Sequence, residues 1–387
     1  MYILSMAIPL FFISLCWHRF SHQTQVAFRL LFIVFFSLSF FSYYTNGVDW
    51  SVYYLRFIED EGLFTSFEFG FVIILKLLLI VSDDNFGLAI LLYYFLCFVL
   101  LSLILKKYKV NKYKVNEPLF LGCLLLLFGY NLFLEQLRQL LACIIVFYAM
   151  LLYNQNKNLI ELCILVITAS TFHVSAVIIL PTIFLISFRN VTTFIIITVS
   201  SITSIVVFMI ALYSAISSLA AMSFVFAKID YYLHQYPVVL NFGWLNILDA
   251  LFILFYMRYR NAIDRQININ ILTRIIFVGS VIHLFSGSIT FLARVCFYFY
   301  FVGVYIYCYS LNDKTPRVFA IKNFNTLVLA AFVNVVLLLN FASYFRNEQA
   351  PVGFYNMNFQ FFNTFNDNYL RTNAYDKYFK GMQGSVD

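Results

Sequence analysis

Two short polar motifs could bind charged groups at a membrane surface. In NGVDWSVYYLRF, Asp49, Tyr53 and Arg56 follow an i, i+4, i+7 spacing that places them on one face of a helix. Such a face could bind a polar substrate, or it could belong to an interfacial helix anchored by its aromatic residues. In FLEQLRQLLA, Glu135 and Arg138 stand three residues apart where an apolar segment begins. A guanidinium presents a planar fork of donors to phosphate oxygens, so Arg138 is a candidate anion ligand; a local ion pair with Glu135 is the alternative.

Two further motifs carry a histidine and an arginine. In STFHVSA, His173 lies between two short apolar segments; it is a candidate general base because imidazole titrates near neutrality, or else a structural histidine. In SGSITFLARVCFYFY, Arg294 lies more than a turn inside an apolar segment, where a charge requires a partner. That partner could be a carboxylate such as Glu135 or Asp49, or a lipid-linked phosphate.

The composition identifies the elements that must position these residues as membrane helices. Of the 387 residues, 63% are hydrophobic and only 11% are charged, so a soluble globular protein is excluded. Because about 20 residues of helix cross the hydrocarbon core, we predict an all-α polytopic integral membrane protein with about 12 short spans. The predicted spans are residues 2–17, 26–45, 86–105, 118–134, 137–153, 159–171, 174–188, 191–211, 244–257, 270–285, 289–309 and 324–345.

Basic residues predict the orientation of the spans. The net charge of +7 is spread over short clusters between apolar segments, which the positive-inside rule places in the cytoplasm and which do not indicate nucleic-acid binding. A spanning segment at 69–81 would move the lysine cluster of residues 106–114 outside, so we predict a re-entrant or interfacial outer helix there. Residues 1–345 then form one polytopic domain with both termini outside. Its outer elements are the loops 46–68 and 212–243 and the tail 346–387.

Other features narrow the chemistry. The seven cysteines lie in or beside apolar segments without a CxxC pair, so we interpret them as small hydrophobic residues. P-loop, HExxH and GxSxG motifs are missing, and the predicted outer face has no DxD-like pair beyond Asp83 and Asp84. We therefore expect neither a metal ion nor a cofactor. The segments 159–171 and 174–188 are short, so the turn between them, with His173, is expected to sink into the bilayer.

The four motifs, in this order, resemble the EpsG-like and Wzy-type bacterial polysaccharide polymerases. These membrane enzymes join lipid-linked repeat units into O-antigen, capsule or exopolysaccharide. The resemblance covers most of residues 40–310. It rests on Asp49 and Tyr53 in GVDWSVYY, Glu68 in FEFGF, Arg138 in LRQLLA, His173 and Ser175 in FHVSA, and Arg294 in FLARVCFYF.

The resemblance implies a fold similar to the GT-C class of membrane glycosyltransferases. It also implies that the substrates, donor and acceptor alike, are undecaprenyl diphosphate-linked oligosaccharides in the bacterial inner membrane, with the active site facing the periplasm. Further partners would be membrane lipids, a chain-length regulator and a flippase, but no nucleic acid. Two other functions stay open: a flippase or transporter for the same glycans, and a ligase that passes finished glycan to another acceptor.

Roles for the candidate residues follow from this chemistry. The acceptor hydroxyl would lose its proton to His173 or, failing that, to Asp49. Arg138 and Arg294 would hold the diphosphate and stabilise the charge that develops on it. The other candidates for binding glycan or phosphate are Glu135, Tyr53 and Arg56. We predict that Arg138, His173 and Arg294 converge.

Overall fold

A computed structural model gives the architecture, and every regular element within the residues it describes is a helix. The predicted all-α class is therefore confirmed for this part of the chain. The described residues are 2–47, 49–59, 67–108, 115–129, 131–212, 243–264, 270–285, 290–310, 333–340, 342 and 359–383.

Seven α-helices precede residue 157, and several begin at side chains that accept a hydrogen bond from a backbone N–H. Ser21 accepts from the backbone N–H of Thr24, and Asn85 accepts from that of Leu88 at 2.8 Å. Such capping satisfies N–H groups that lack a partner within the helix. The helices are α1 (Tyr2–Cys16), α2 (His22–Tyr43), α3 (Asp49–Phe57), α4 (Phe69–Val81), α5 (Phe86–Lys107), α6 (Glu117–Phe128) and α7 (Leu137–Asn156).

The later helices are interrupted by longer connections. They are α8 (Leu159–Ser170), α9 (Ile179–Ile186), α10 (Val191–Leu212), α11 (Trp244–Asp264), α12 (Asn270–Leu284), α13 (Thr290–Ser310) and α14 (Asp367–Gln383); residues 333–340 are also helical. Tighter 3₁₀ turns occupy Trp17–Arg19, Tyr44–Asn46, Val174–Ile178 and Asn363–Phe365, and a π-helical turn occupies Asn131–Glu135.

The chain divides into two compact units by its internal contacts. The first unit comprises Met1–Tyr148, Ile167–Val174 and Phe341–Asp387. The second comprises Ala149–Val166 and Ser175–Asn340. The short segment Ile167–Val174, which carries His173, therefore belongs with the first unit.

Four described helical segments are long and apolar enough to cross a membrane: His22–Asn46, Phe86–Lys107, Leu137–Asn156 and Val191–Phe208. Shorter apolar helices accompany them, as expected for a membrane protein, whereas the count of about 12 spans stays a prediction. Two predicted spans differ in detail. Residues 118–134 divide into α6 and the π-helical turn, and 174–188 begins as a 3₁₀ turn before α9. Most of 324–345 and of the loop 212–243 lies outside the described residues.

Aromatic packing fixes the π-helical turn in the first unit. The ring of Phe133 stacks on that of Phe40 with centroids 4.8 Å apart, and the Tyr94 hydroxyl donates to the Phe133 carbonyl at 2.7 Å. A π turn places carbonyls out of the regular α-helical ladder, and Tyr94 supplies a donor for one of them. This packing anchors the segment that leads from Glu135 to Arg138.

A buried ion pair joins α2 to α6 in the same unit. Arg29 contacts Glu117 through two parallel hydrogen bonds, Nε to Oε2 at 2.7 Å and Nη2 to Oε1 at 2.6 Å. Both residues are buried, with 5% and 3% of their surface exposed. The pair holds α2 against α6, because a charge buried here needs this partner.

Candidate active site

The helix predicted around Asp49 is present as α3 and turns its aromatic face inward. Asp49 is the first residue of α3, and Tyr53, one turn later, is 1% exposed. The Tyr53 ring lies 5.4 Å from the ring of Phe67 and 5.1 Å from that of Phe71. Arg56 occupies the last turn of α3 and is partly exposed. The Tyr53 side chain in α3 is therefore held in place by close packing against aromatic rings.

Arg138 stands at the start of α7 and joins α3 to the segment before α4. Its Nη1 forms an ion pair with Glu68 Oε2, and its Nε donates to the Tyr53 hydroxyl at 3.3 Å. The guanidinium carbon lies 5.0 Å from the centre of the Phe67 ring. The side chain of Arg138 is 23% exposed and that of Glu68 is 15% exposed. The structure thus pairs Arg138 with Glu68, a carboxylate distant in sequence.

Glu68 also contacts the turn that carries His173. Its Oε1 accepts a hydrogen bond from the backbone N–H of Val174 at 3.4 Å. The next contact is between backbones: Gly70 N donates to the Thr171 carbonyl at 2.8 Å. A Cβ at Gly70 would stand only 2.3 Å from the Thr171 hydroxyl, so glycine permits this close approach. The start of α4 therefore holds the turn of His173.

The charges of this cluster favour an ionised Glu68. Burial opposes ionisation, but the positive charge of Arg138, a backbone hydrogen bond to the carboxylate and an electrostatic interaction with His173 together outweigh burial and lower the pKa of Glu68. Burial and the negative charge of Asp49 raise the pKa of Tyr53. The Tyr53 hydroxyl consequently keeps its proton, so it can accept from Arg138 and still donate to an anionic oxygen.

Glu135 lies behind the start of α3. It is 9% exposed, and its Oε2 accepts from the backbone N–H of Asp49 at 3.4 Å. The first unit thus brings together Asp49, Tyr53, Glu135, Arg138 and His173. Arg294 lies in α13 of the second unit and is partly exposed, so its convergence with Arg138 and His173 stays a prediction.

Sequence reasoning assigned no role to Glu68, although it belongs to the resemblance, and it overlooked a polar cluster in the second unit. There, His283 Nδ1 contacts Asp249 Oδ2 at 2.5 Å, and the Tyr300 hydroxyl lies 3.5 Å from the same oxygen. Asp249 is 3% exposed and His283 is 8% exposed. Ionisable residues inside apolar helices are the signal that would have found this pair.

The metal-binding residue types that the structure describes are dispersed. Among the described residues, His, Cys, Asp and Glu side chains do not gather in groups of three or more that could hold an ion. The seven cysteines are free thiols, and five of them are buried, in agreement with their interpretation as small hydrophobic residues.

Comparison with known proteins assigns the chain to a family. The model of the EpsG family matches residues 28–369, which include all of the candidate residues. Neither a curated protein nor a solved structure matches the chain. Since the matched region covers nearly the whole chain, the protein belongs to the EpsG family, a family of Wzy-like polysaccharide polymerases.

Proposed function

We propose that this protein is a membrane glycosyltransferase that polymerises undecaprenyl diphosphate-linked oligosaccharide repeat units into a surface polysaccharide. The family supports polysaccharide polymerisation. The contacts of Arg138 support the more specific proposal that the substrate is linked through a diphosphate. This arginine is oriented by Glu68 and Tyr53 and remains partly exposed. We further propose that the site faces the periplasm from the inner membrane, because the positive-inside rule places the basic clusters of the sequence on the cytoplasmic side.

Arg138 would bind the diphosphate of the donor. A guanidinium carries five N–H donors, and among the described residues Glu68 and Tyr53 account for one each. Other donors can then contact phosphate oxygens while these two contacts hold the group in place. As the leaving diphosphate gains negative charge, a fixed guanidinium in a water-poor site stabilises it more strongly than solvent would. Arg294 would be the second cation at the diphosphate.

The acceptor hydroxyl would be activated by His173 or, failing that, by Asp49. The base removes the hydroxyl proton as the oxygen attacks C1 of the donor sugar; the new C1–O bond forms, and the bond from C1 to the diphosphate oxygen breaks. The negative charge of Glu68 beside His173 would stabilise the imidazolium that proton uptake produces. Glu135, Tyr53 and Arg56 would position glycan or phosphate.

A gene deletion tests the proposed function. A strain without the gene should carry a single repeat unit in place of a ladder of lengths on a gel of surface polysaccharide. The wild-type gene should restore the ladder, and Arg138→Ala or Arg294→Ala should not. Arg19→Ala is a matched control because Arg19 is exposed and lies on the predicted cytoplasmic side. Loss of every repeat, including the single one, would instead indicate a flippase or ligase.

A chain-length regulator and a flippase are proposed partners.

A further inference from the structure

The described part of the C-terminal segment, residues 359–383, docks onto the first unit by backbone and aromatic contacts. The backbone N–H of Gln360 donates to the Ser42 carbonyl at 2.9 Å, and the Tyr54 hydroxyl donates to the Asp367 carbonyl at 3.3 Å. Aromatic rings add to the docking: Phe361 and Phe365 both contact Phe41, with centroids 5.8 and 4.9 Å apart. The helix α14 that follows packs along α3.

Lys377 extends from α14 to the turn that precedes α3. Its Nζ donates to the carbonyls of Thr45 and Gly47, the latter at 2.7 Å. The same Nζ lies 5.9 Å from the centre of the Trp50 ring, and the Trp50 indole N–H donates to the Thr45 carbonyl at 2.9 Å. One ammonium thus bridges two carbonyls and an indole ring.

The position of Lys377 has an electrostatic reason. The 3₁₀ turn Tyr44–Asn46 ends the long helical segment of α2, and the last carbonyls of a helix lack backbone partners within it. These carbonyls also carry the negative end of the helix dipole, so a cation is favourable there. Burial lowers the pKa of Lys377 to about 8, and the negative charge of Glu135 opposes that shift. A lysine that stayed fully in solvent would not carry this desolvation cost.

The turn that Lys377 holds adjoins the candidate site on two sides. Asp49 begins α3 two residues after Gly47 and leads to Tyr53, the contact of Arg138. On the other side, a Cβ at Gly47 would stand 2.8 Å from the carbonyl of Leu134 in the π-helical turn. A shift of the turn would therefore move α3 and press on the segment that carries Glu135.

We propose that Lys377 is a positioning residue that holds the turn Thr45–Gly47 and thereby sets the position of α3, with Asp49 and Tyr53, in the site. The effect of Lys377 on catalysis rests on the proposed function, whereas its effect on α3 does not. Lys377 lies beyond residue 369, where the family match ends, so the family relationship does not supply this role.

Three variants test the positioning role in the purified full-length protein. Lys377→Met removes the ammonium, Lys377→Arg keeps a cation, and Arg371→Met is the control. Arg371 lies on the same helix and pairs with Glu59 at 2.9 Å, but its side chain is 58% exposed. The first readout is polymerisation of lipid-linked repeat units, and the second is hydrogen exchange of the backbone amides of α3, which needs no activity.

Lys377→Met should lower kcat about tenfold to a hundredfold with a change in KM below about threefold, because a displacement near 1 Å has this effect on a reacting group. Exchange in α3 should accelerate at least about tenfold. Lys377→Arg should recover most of both, and Arg371→Met should alter neither by more than about twofold.

Wild-type kcat and unchanged α3 exchange in Lys377→Met would overturn the proposal, as would equal losses in Arg371→Met. If wild-type protein forms no polymer, the proposed function fails, and α3 exchange still decides whether Lys377 holds the turn. If Lys377→Met does not fold, Lys377→Arg decides the question. Amide exchange in α3 of Lys377→Arg that is as fast as in a helix without tertiary contacts would contradict the proposal.

Discussion

The pairing of Arg138 with Glu68 predicts a measurable coupling energy between residues 70 positions apart. Glu68→Gln removes the negative charge and leaves the guanidinium partly buried without this counter-ion. Exposed ion pairs contribute about 0 to 1 kcal/mol, and breaking a buried pair costs about 3 to 5 kcal/mol. With side chains 23% and 15% exposed, the pair lies between these limits. We expect a coupling energy of about 1 to 3 kcal/mol.

A double-mutant cycle measures this energy. The free energy of unfolding is compared for wild type, Glu68→Gln, Arg138→Gln and the double variant, by denaturant titration in mixed micelles. A second cycle on Glu59 and Arg371 is the matched control, because that pair is more exposed and should couple by less than about 1 kcal/mol. If the Glu68 and Arg138 effects add to within about 0.5 kcal/mol, the two side chains do not hold each other and the reasoning is wrong.

The coupling should also depend on pH. The pKa of Glu68 is lower in the folded protein than in the unfolded chain, where it is about 4.3. As the pH falls, the unfolded chain therefore takes up the proton before the folded protein does. The contribution of Glu68 to stability is fully present above the pKa that Glu68 has in the unfolded chain. It is lost as the pH falls through the folded pKa. The coupling measured at pH 7 should be unchanged at pH 6 and should shrink below about pH 4; a coupling that survives complete protonation would contradict the charge-based account.

Three further substitutions test the packing around the site and in the core. Gly70→Ala should reduce activity at least about tenfold by forcing apart α4 and the turn of Thr171, where the new Cβ would stand 2.3 Å from a hydroxyl. Gly303 lies in α13, and within the described part of the chain no atom would stand within 4 Å of a Cβ added there, so Gly303→Ala should stabilise the protein by about 0.5 to 1 kcal/mol. If Gly70→Ala and Gly303→Ala changed activity and the free energy of unfolding equally, this contrast would be refuted. Glu117→Gln should destabilise by about 3 kcal/mol because it leaves the buried charge of Arg29 uncompensated. If the free energy of unfolding of Glu117→Gln lies within about 0.5 kcal/mol of the wild-type value, the Arg29–Glu117 pair contributes little to stability.

Local spacing predicted the elements that carry the site. The i, i+4 relation of Asp49 and Tyr53 indicated the helix that the structure has at Asp49–Phe57. The apolar run after Arg138 likewise indicated α7, and the short segments around His173 indicated a turn. Periodicity shows which residues of one helix share a face, so it predicts features that depend on a single element.

Contacts between distant segments could not be read from spacing. Arg138 had a nearby candidate partner in Glu135, and the structure selects Glu68 instead, because α4 brings its first residues against the Arg138 side chain. Lys377 reaches the turn before α3 across more than 300 residues, which no local pattern encodes. The Asp249 and His283 pair was accessible in principle, since both residues interrupt apolar segments, but their pairing depends on how α11 and α12 pack.

Reconstitution of the purified protein tests the central claim most directly. Vesicles that contain the protein and undecaprenyl diphosphate-linked repeat units should produce a ladder of glycan lengths, with one undecaprenyl diphosphate released for each linkage formed. Arg138→Ala should fold normally and lower the rate by about 10² or more, the loss expected when a stabilising group for the leaving charge is removed. Vesicles in which the wild-type protein forms no linkage, or in which Arg138→Ala elongates chains at the wild-type rate, would contradict the account.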